Sequence, residues 1–243
     1  MTTKKLTWIM PNVSWFGKRA WHNALPYTEG LLIAILKQNG YEVNVIDANI
    51  RSLNEKQLEE EIRNVNPEIV LISALSMEYR LCVHKSFDIV KKVNPDIITI
   101  IGGIYPTLSS EIVEKDFNID YMVLGDGELR LLELLKVIEK NEGFEKLDGL
   151  GIIKNGERII NPPVEPGILD LDSLPLPDYS EFDVQEYMNG CGEKYTQNFN
   201  FEKYPVGLIM TSRGCPYSCG YCASRIINTI SGKRFRVGLL KIL

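Results

Sequence analysis

Between residues 5 and 140 the chain alternates short apolar runs with helical stripes, and few folds tolerate that pattern. Leu6 to Met10 is an apolar run stopped by Pro11. Thr28 to Gln38 places Leu31, Leu32, Ile35 and Leu36 at core spacing before Gly40 ends the helix. Tyr41 to Ile46 alternates as a second strand. Asn54, followed three residues later by Gln57, predicts a capping box, and Leu58, Ile62 and Val65 then form one stripe ahead of Pro67. Ile69 to Ile72 is a wholly apolar third strand. A helix over Arg80 to Val93, a strand Ile97 to Ile101, a helix near Ser109 to Lys115, a strand Tyr121 to Leu124 and a helix Glu128 to Lys140 complete the series.

Five buried strands, each followed by a helix, predict a parallel sheet covered on both faces: a doubly wound α/β, Rossmann- or flavodoxin-like domain. Ligands of such sheets sit beyond the carboxyl ends of the strands, so the residues just after each strand are the ones to read. Ser73-Ala74-Leu75-Ser76 follows the third strand, Gly102-Gly103 the fourth, and Gly125-Asp126-Gly127-Glu128 the fifth. Serine brings a hydroxyl to the mouth, and paired glycines let backbone approach a flat or bulky ligand.

Beyond residue 141 the alternation stops. Asn155-Gly156 between two apolar runs predicts a hairpin, and Pro162, Pro163, Pro166, Pro175 and Pro177 enforce an extended path. Tyr179 to Tyr204 is polar with scattered aromatics, suited to cover a neighbouring site. Val206 to Thr211 reads as a strand, and a cysteine loop follows, Arg213-Gly-Cys-Pro-Tyr-Ser-Cys-Gly-Tyr-Cys-Ala223. Three of the five cysteines, Cys215, Cys219 and Cys222, fall within eight residues. Thiolates select zinc, copper(I) or iron-sulfur clusters. Three thiols hold a four-iron cluster with one iron left open, whereas structural zinc takes four ligands, which here would require Cys191 from upstream.

The CxxxCxxC spacing, with the aromatic Tyr221 before its last cysteine, resembles the signature of radical S-adenosylmethionine (SAM) enzymes. The resemblance implies that Cys215, Cys219 and Cys222 ligate a [4Fe-4S] cluster whose open iron chelates SAM, with Tyr221 near the adenine. The 26 residues between Leu75 and Gly102 in the SxL and GG pairing resemble the cobalamin (B12)-binding domain that precedes many radical SAM domains. Gly125-Asp-Gly-Glu128 is similar to that family's Gly-Glu-Gly-Glu turn, Leu171 to Asp178 to its linker, and Gly232 to Arg236 to its basic segment. The resemblance thus implies cobalamin contacts at Ser73, Leu75, Ser76, Gly102, Gly103, Gly125, Gly127 and Glu128. The Asp-x-His-x-x-Gly motif that some cobalamin domains carry after the first strand is missing, and neither His22 nor His84 occupies its place. Cobalamin is therefore expected without a protein histidine below cobalt. Arg213, Arg225, Lys233, Arg234 and Arg236 have the chemistry to pair with carboxylate or phosphate.

The expected organisation is a cobalamin-binding domain at 1–142, a hairpin and Pro-rich connector at 143–204, and the amino-terminal piece of a radical SAM (β/α) barrel at 205–243. Only 38 residues remain from Val206 onward, against roughly 190 for six βα units. The sequence accordingly reads as a truncated or frame-disrupted form. A net charge of -5 and pI near 5.3 give no electrostatic ground for nucleic-acid or membrane partners, and no apolar run approaches 18 residues. An odd cysteine count with a tight trio suits the cytoplasm. By resemblance the intact enzyme would cleave SAM reductively to a 5'-deoxyadenosyl radical and transfer a methyl group to an unactivated carbon. It would act on a small-molecule substrate and draw electrons from a flavodoxin or ferredoxin-like donor. Two other readings fit the same residues: a non-catalytic cobalamin-binding module with a vestigial cluster loop, and a zinc-stabilised nucleotide-binding protein.

Overall fold

The computed structural model describes residues 5–17, 25–140, 143–144, 147–154, 157–164, 167–168, 170–189, 208–230 and 235–238. Strands β1 (Lys5–Met10), β2 (Glu42–Asp47), β3 (Ile69–Ser73), β4 (Ile98–Gly102) and β5 (Tyr121–Val123) lie parallel in the order β2-β1-β3-β4-β5. The doubly wound domain expected from the alternation is therefore present. Strand order reverses between β1 and β3, which opens a crevice at their carboxyl ends.

Alternation along each strand divides the core in two. Leu6, Trp8, Leu71, Ile100, Tyr121 and Val123 face helices α1 (Tyr27–Gln38) and α6 (Gly127–Lys140). Ile9, Val70, Ile72, Ile101 and Met122 face α2 (Glu55–Val65), α3 (Arg80–Val93), α4 (Ile104–Leu108) and α5 (Ser110–Val113). Each fully buried Leu or Ile contributes about 1.5–3 kcal/mol. The capping box forms as predicted: the Asn54 side chain accepts from Gln57 N, and the Gln57 side chain accepts from Asn54 N. The single helix expected at Ser109 to Lys115 is instead two short ones. Helix α4 starts early because Pro106, in its first turn, needs no amide hydrogen, and Ser109 at φ -141° breaks the path before α5.

Two findings go beyond the expected outline. The predicted hairpin, β6 (Leu150–Lys154) with β7 (Glu157–Asn161), pairs antiparallel with β5 and lengthens the sheet to seven strands; its turn, Asn155-Gly156, lies outside the described residues. It covers the edge that the short β5 would leave bare. The Pro-rich stretch then packs on α1. A Cβ on Gly30 would stand 2.6 Å from the Tyr179 ring, Asp178 N donates to Gly30 O at 2.9 Å, and Lys37 pairs with Asp178 and Glu181. Phe182, and Tyr187 from α7 (Val184–Asn189), are buried in the same core.

The strand expected at Val206 to Thr211 is not formed over residues 208–211, where Leu208, Ile209 and Met210 are exposed; Val206 lies outside the described residues. A strand needs a neighbour, and here only β8 (Ser212–Arg213) finds one, pairing antiparallel with β9 (Arg236–Val237). Between them the cysteine loop leads into α8 (Ser224–Ile230). Among the described residues no helix is long and apolar enough to cross a membrane.

Candidate functional site

At the carboxyl end of the sheet, backbone geometry explains the glycines. Gly103 sits at φ +96° and ψ -169°, a conformation essentially reserved for glycine, and a Cβ there would meet Ala74 O at 2.6 Å. The β3 and β4 loops thus touch main chain to main chain, held by Ala74 N donating to Gly102 O and Tyr105 N donating to Ala74 O. Ser76 caps the turn that follows, its hydroxyl accepting from Glu78 N at 3.1 Å. Leu75 is 69% exposed and Met77 is also exposed, so an apolar shelf faces outward beside the glycine pair. Such a shelf suits one face of a large planar macrocycle.

Thr107, which the sequence did not single out, joins this shelf to the next turn. Its hydroxyl donates to Gly103 O at 2.7 Å and accepts from Gly125 N at 2.9 Å. A hydroxyl one turn after a glycine pair carries no pattern of its own, so no sequence signal marks it.

A second polar group lies at the ends of β2 and β3. The Glu29 carboxyl is enclosed near Asp47 and accepts from the Ser73 hydroxyl; burial first, and Asp47 next, push its pKa up to about 7. Asp47 is fully engaged as well. One oxygen accepts from Asn49 N and Ile50 N, and the other from the Tyr187 hydroxyl, whose pKa is raised by burial and then by Asp47. Ser73 therefore points into an internal acidic cluster, whereas Leu75 faces solvent.

The turn Gly125 to Glu128 is also engaged from within. Arg213 Nη2 lies 2.5 Å from Glu128 Oε1, Arg236 donates to Asp126 and to Ile168 O, and the Arg130 guanidinium spans Asp126 O and Asp148. Burial opposes the Arg213 charge, but Glu128 and then Asp126 outweigh it and hold the guanidinium protonated. Of the basic residues noted in the sequence, Arg213 and Arg236 thus pair with carboxylates, while Lys233 and Arg234 lie outside the described residues.

The cysteine loop is open. Cys219 is exposed, Cys215 and Cys222 are partly buried, and Tyr221 is 94% exposed. The Asn228 side chain grips the loop at its start, accepting from Cys215 N at 3.3 Å and donating to Cys215 O at 2.6 Å. Hydrogen bonds from the Ser224 hydroxyl and backbone lower the Cys222 thiol pKa, favouring the thiolate that ligates metal. Among the described residues, no three His, Cys, Asp or Glu side chains converge on one metal-sized point, so the three thiols share a loop without being gathered. Their donor chemistry fits an iron-sulfur cluster; Cys191 and His22 lie outside the described residues. His84 is taken up internally, between Asp116 and the Tyr105 hydroxyl.

The model of the B12-binding domain family matches residues 30–135. Over those residues, somewhat under half of the chain, the sequence is similar to a B12-binding domain. The match runs from α1 to α6 and includes every loop that forms the glycine shelf. An uncharacterized methyltransferase of Pyrococcus horikoshii is 28% identical over 239 residues, covering 97% of this chain and 48% of that protein. An anaerobic magnesium-protoporphyrin IX monomethyl ester cyclase of Rubrivivax gelatinosus is 29% identical over 225 residues, covering 90% of this chain and 38% of that protein. The chain spans about half the length, or less, of these relatives. Among solved structures, the radical SAM methyltransferase TsrM of Kitasatospora setae superposes with a TM-score of 0.70 at 22% identity, covering 98% of this chain and 44% of that one. The cobalamin-dependent SAM radical enzyme OxsB gives a TM-score of 0.67 at 21% identity, covering 91% of this chain and 28% of that one. The shared fold therefore extends past the B12-binding domain into the cysteine-bearing segment.

Proposed function

We propose that this chain holds cobalamin on the glycine shelf and a [4Fe-4S] cluster on Cys215, Cys219 and Cys222, as part of a cobalamin-dependent radical SAM enzyme. The observation that carries the reading is that the B12-binding domain and the cysteine loop are joined through Arg213 and Glu128 in one folded unit. Residues 1–142 would bind cobalamin, 143–204 would link, and 205–243 would carry the cluster.

Leu75, Ser76, Gly102 and Gly103 would form the surface under cobalamin, and Thr107 would fix the spacing of that surface from Gly125. Tyr221, beside Cys222, would lie near the adenine of SAM. Bound in these places, the cluster supplies one electron for cleavage of SAM and cobalamin supplies a methyl group to transfer. The chain's own residues would orient these groups: Asn228 holds the Cys215 backbone, and hydrogen bonds from Ser224 lower the Cys222 thiol pKa. Methyl transfer to an unactivated carbon of a small molecule is the favoured outcome, because four of the relatives are named methyltransferases or a methylase; the three that are named magnesium-protoporphyrin IX monomethyl ester cyclases support ring formation as the second reading. The electron would come from a flavodoxin or ferredoxin-like donor.

The test is anaerobic iron-sulfur reconstitution with added hydroxocobalamin, followed by iron, zinc and cobalt analysis of wild type and Cys219→Ala. About four irons and one cobalt per chain are expected, with iron alone lost in the variant. Zinc at one per chain without iron or cobalt would overturn the reading.

A further inference from the structure

Asp126 and Glu128 lie in the turn between β5 and α6, at the carboxyl edge of the B12-binding domain. Arg213 and Arg236 come from the two short strands, β8 and β9, that flank the cysteine loop and α8. Arg213 stands two residues before Cys215. Glu128 and Arg236 are 4% and 6% exposed, and the side chains of Asp126 and Arg213 are largely enclosed, at 15% each. The contacts span 85 and 110 residues of sequence, so they are tertiary joints rather than local caps.

Stability alone is a poor reason for such a joint. Burying charges costs about as much as their attraction returns, and among the described residues Glu128 Oε2 and Arg236 Nε are buried without a hydrogen-bond partner of their own. What a rigid guanidinium-carboxylate contact does provide is a fixed direction and distance. Thr107 passes that fixity on, because its hydroxyl binds both Gly125 N, at the start of the same turn, and Gly103 O of the glycine shelf. A chain of direct contacts therefore runs from the shelf through Thr107 and the turn to Arg213, and so to the first cysteine.

We propose that Glu128 with Arg213, and Asp126 with Arg236, form a buried latch that sets the cysteine loop in a fixed place relative to the glycine shelf, with Glu128 a positioning residue rather than a contact of cobalamin. The inference rests on the cofactor reading above for what the latch aligns, but its contacts belong to the chain itself. In the intact enzyme its role is to hold the two cofactors at one separation.

The test is hydrogen-deuterium exchange on the full chain, without cofactors, paired with optical titration by hydroxocobalamin. Glu128→Gln is expected to speed exchange over residues 211–216 by about tenfold or more, since it leaves the buried Arg213 charge with only Asp126, 4.0 Å away, to offset it. Exchange in β1 to β4 should stay as in wild type, and cobalamin affinity within about twofold. Asp126→Asn should act in the same way on residues 235–238. The double variant Glu128→Gln with Arg213→Gln removes both charges and should exchange no faster than Glu128→Gln, which keeps the latch testable if the single variant folds poorly. Arg213→Lys should fall between wild type and Glu128→Gln. Unchanged exchange at 211–216, acceleration spread equally over β1 to β4, or a tenfold loss of cobalamin affinity with exchange unchanged would overturn the proposal. If wild type itself binds no cobalamin, the cofactor reading fails, while the exchange result still decides whether the joint fixes the loop.

Discussion

At the carboxyl end of the sheet, Gly103, Thr107 and Gly125 are fixed by main-chain contacts and one shared hydroxyl; at the cysteine loop, Cys219 and Tyr221 stand in solvent while Asn228 and two arginines hold the ends. The first region is shaped before any ligand arrives. The second has its backbone anchored but its thiols spread. On the proposed cofactor reading, the contrast follows from what each would bind. A large planar macrocycle needs a preformed shelf, whereas a cluster gathers its own ligands, because metal-thiolate bonds are strong enough to draw a loop together.

Substitution at Gly103 strikes this contrast hardest. Gly103→Ala forces a Cβ against Ala74 O at a φ of +96°, and is expected to cost about 3 kcal/mol and lower the thermal midpoint, read by calorimetry. A change of less than about 0.5 kcal/mol would mean that the β3 and β4 loops are not rigidly joined.

Glu29 probes the polar floor of the same region with a smaller effect. Its folded pKa of about 7 lies above the ordinary 4.5, so the folded protein keeps a proton that the unfolded chain releases. Its contribution is therefore fully present below pH 4.5 and is lost as pH rises to about 7. Urea unfolding at pH 5 and pH 8 should show wild type losing about 2–3 kcal/mol relative to Glu29→Gln across that interval. Parallel profiles for the two proteins would place the Glu29 carboxylate in water.

The smallest expected effect is at the cysteine loop. Asn228→Ala removes two hydrogen bonds to the Cys215 backbone and should cost about 1 kcal/mol while speeding exchange at 215–219 only. Equal effects at the glycine shelf would show the two regions to be one cooperative unit.

How much of this was legible in the sequence differs between the same two regions. The strands, the Asn54 capping box and the order of elements follow from periodicity, because Val70, Ile72 and Ile101 alternate with Ile69, Leu71 and Ile100 between two cores. The Gly102-Gly103 pair was legible as a place needing glycine, but its reason was read as the approach of a ligand, whereas Gly103 is required by the Ala74 main chain. That the hairpin would continue the sheet was not, since pairing with Tyr121 depends on an edge strand 30 residues away. The partners of Arg213 and Arg236 were equally hidden. Their charge suggested carboxylates, but Glu128 and Asp126 lie 85 and 110 residues upstream, in a turn whose glycines invite a ligand reading first. Tyr187 closing on Asp47 arises from a stretch with no period at all.

The central claim is that the glycine shelf is a ready cobalamin surface in this chain as it stands. Optical titration of the full chain with hydroxocobalamin, beside Gly103→Val, tests it most directly. One cobalamin per wild-type chain at micromolar affinity or tighter, weakened by about tenfold or more in the variant, is the predicted result. A wild-type chain that binds none, or a folded variant that binds equally well, would contradict it.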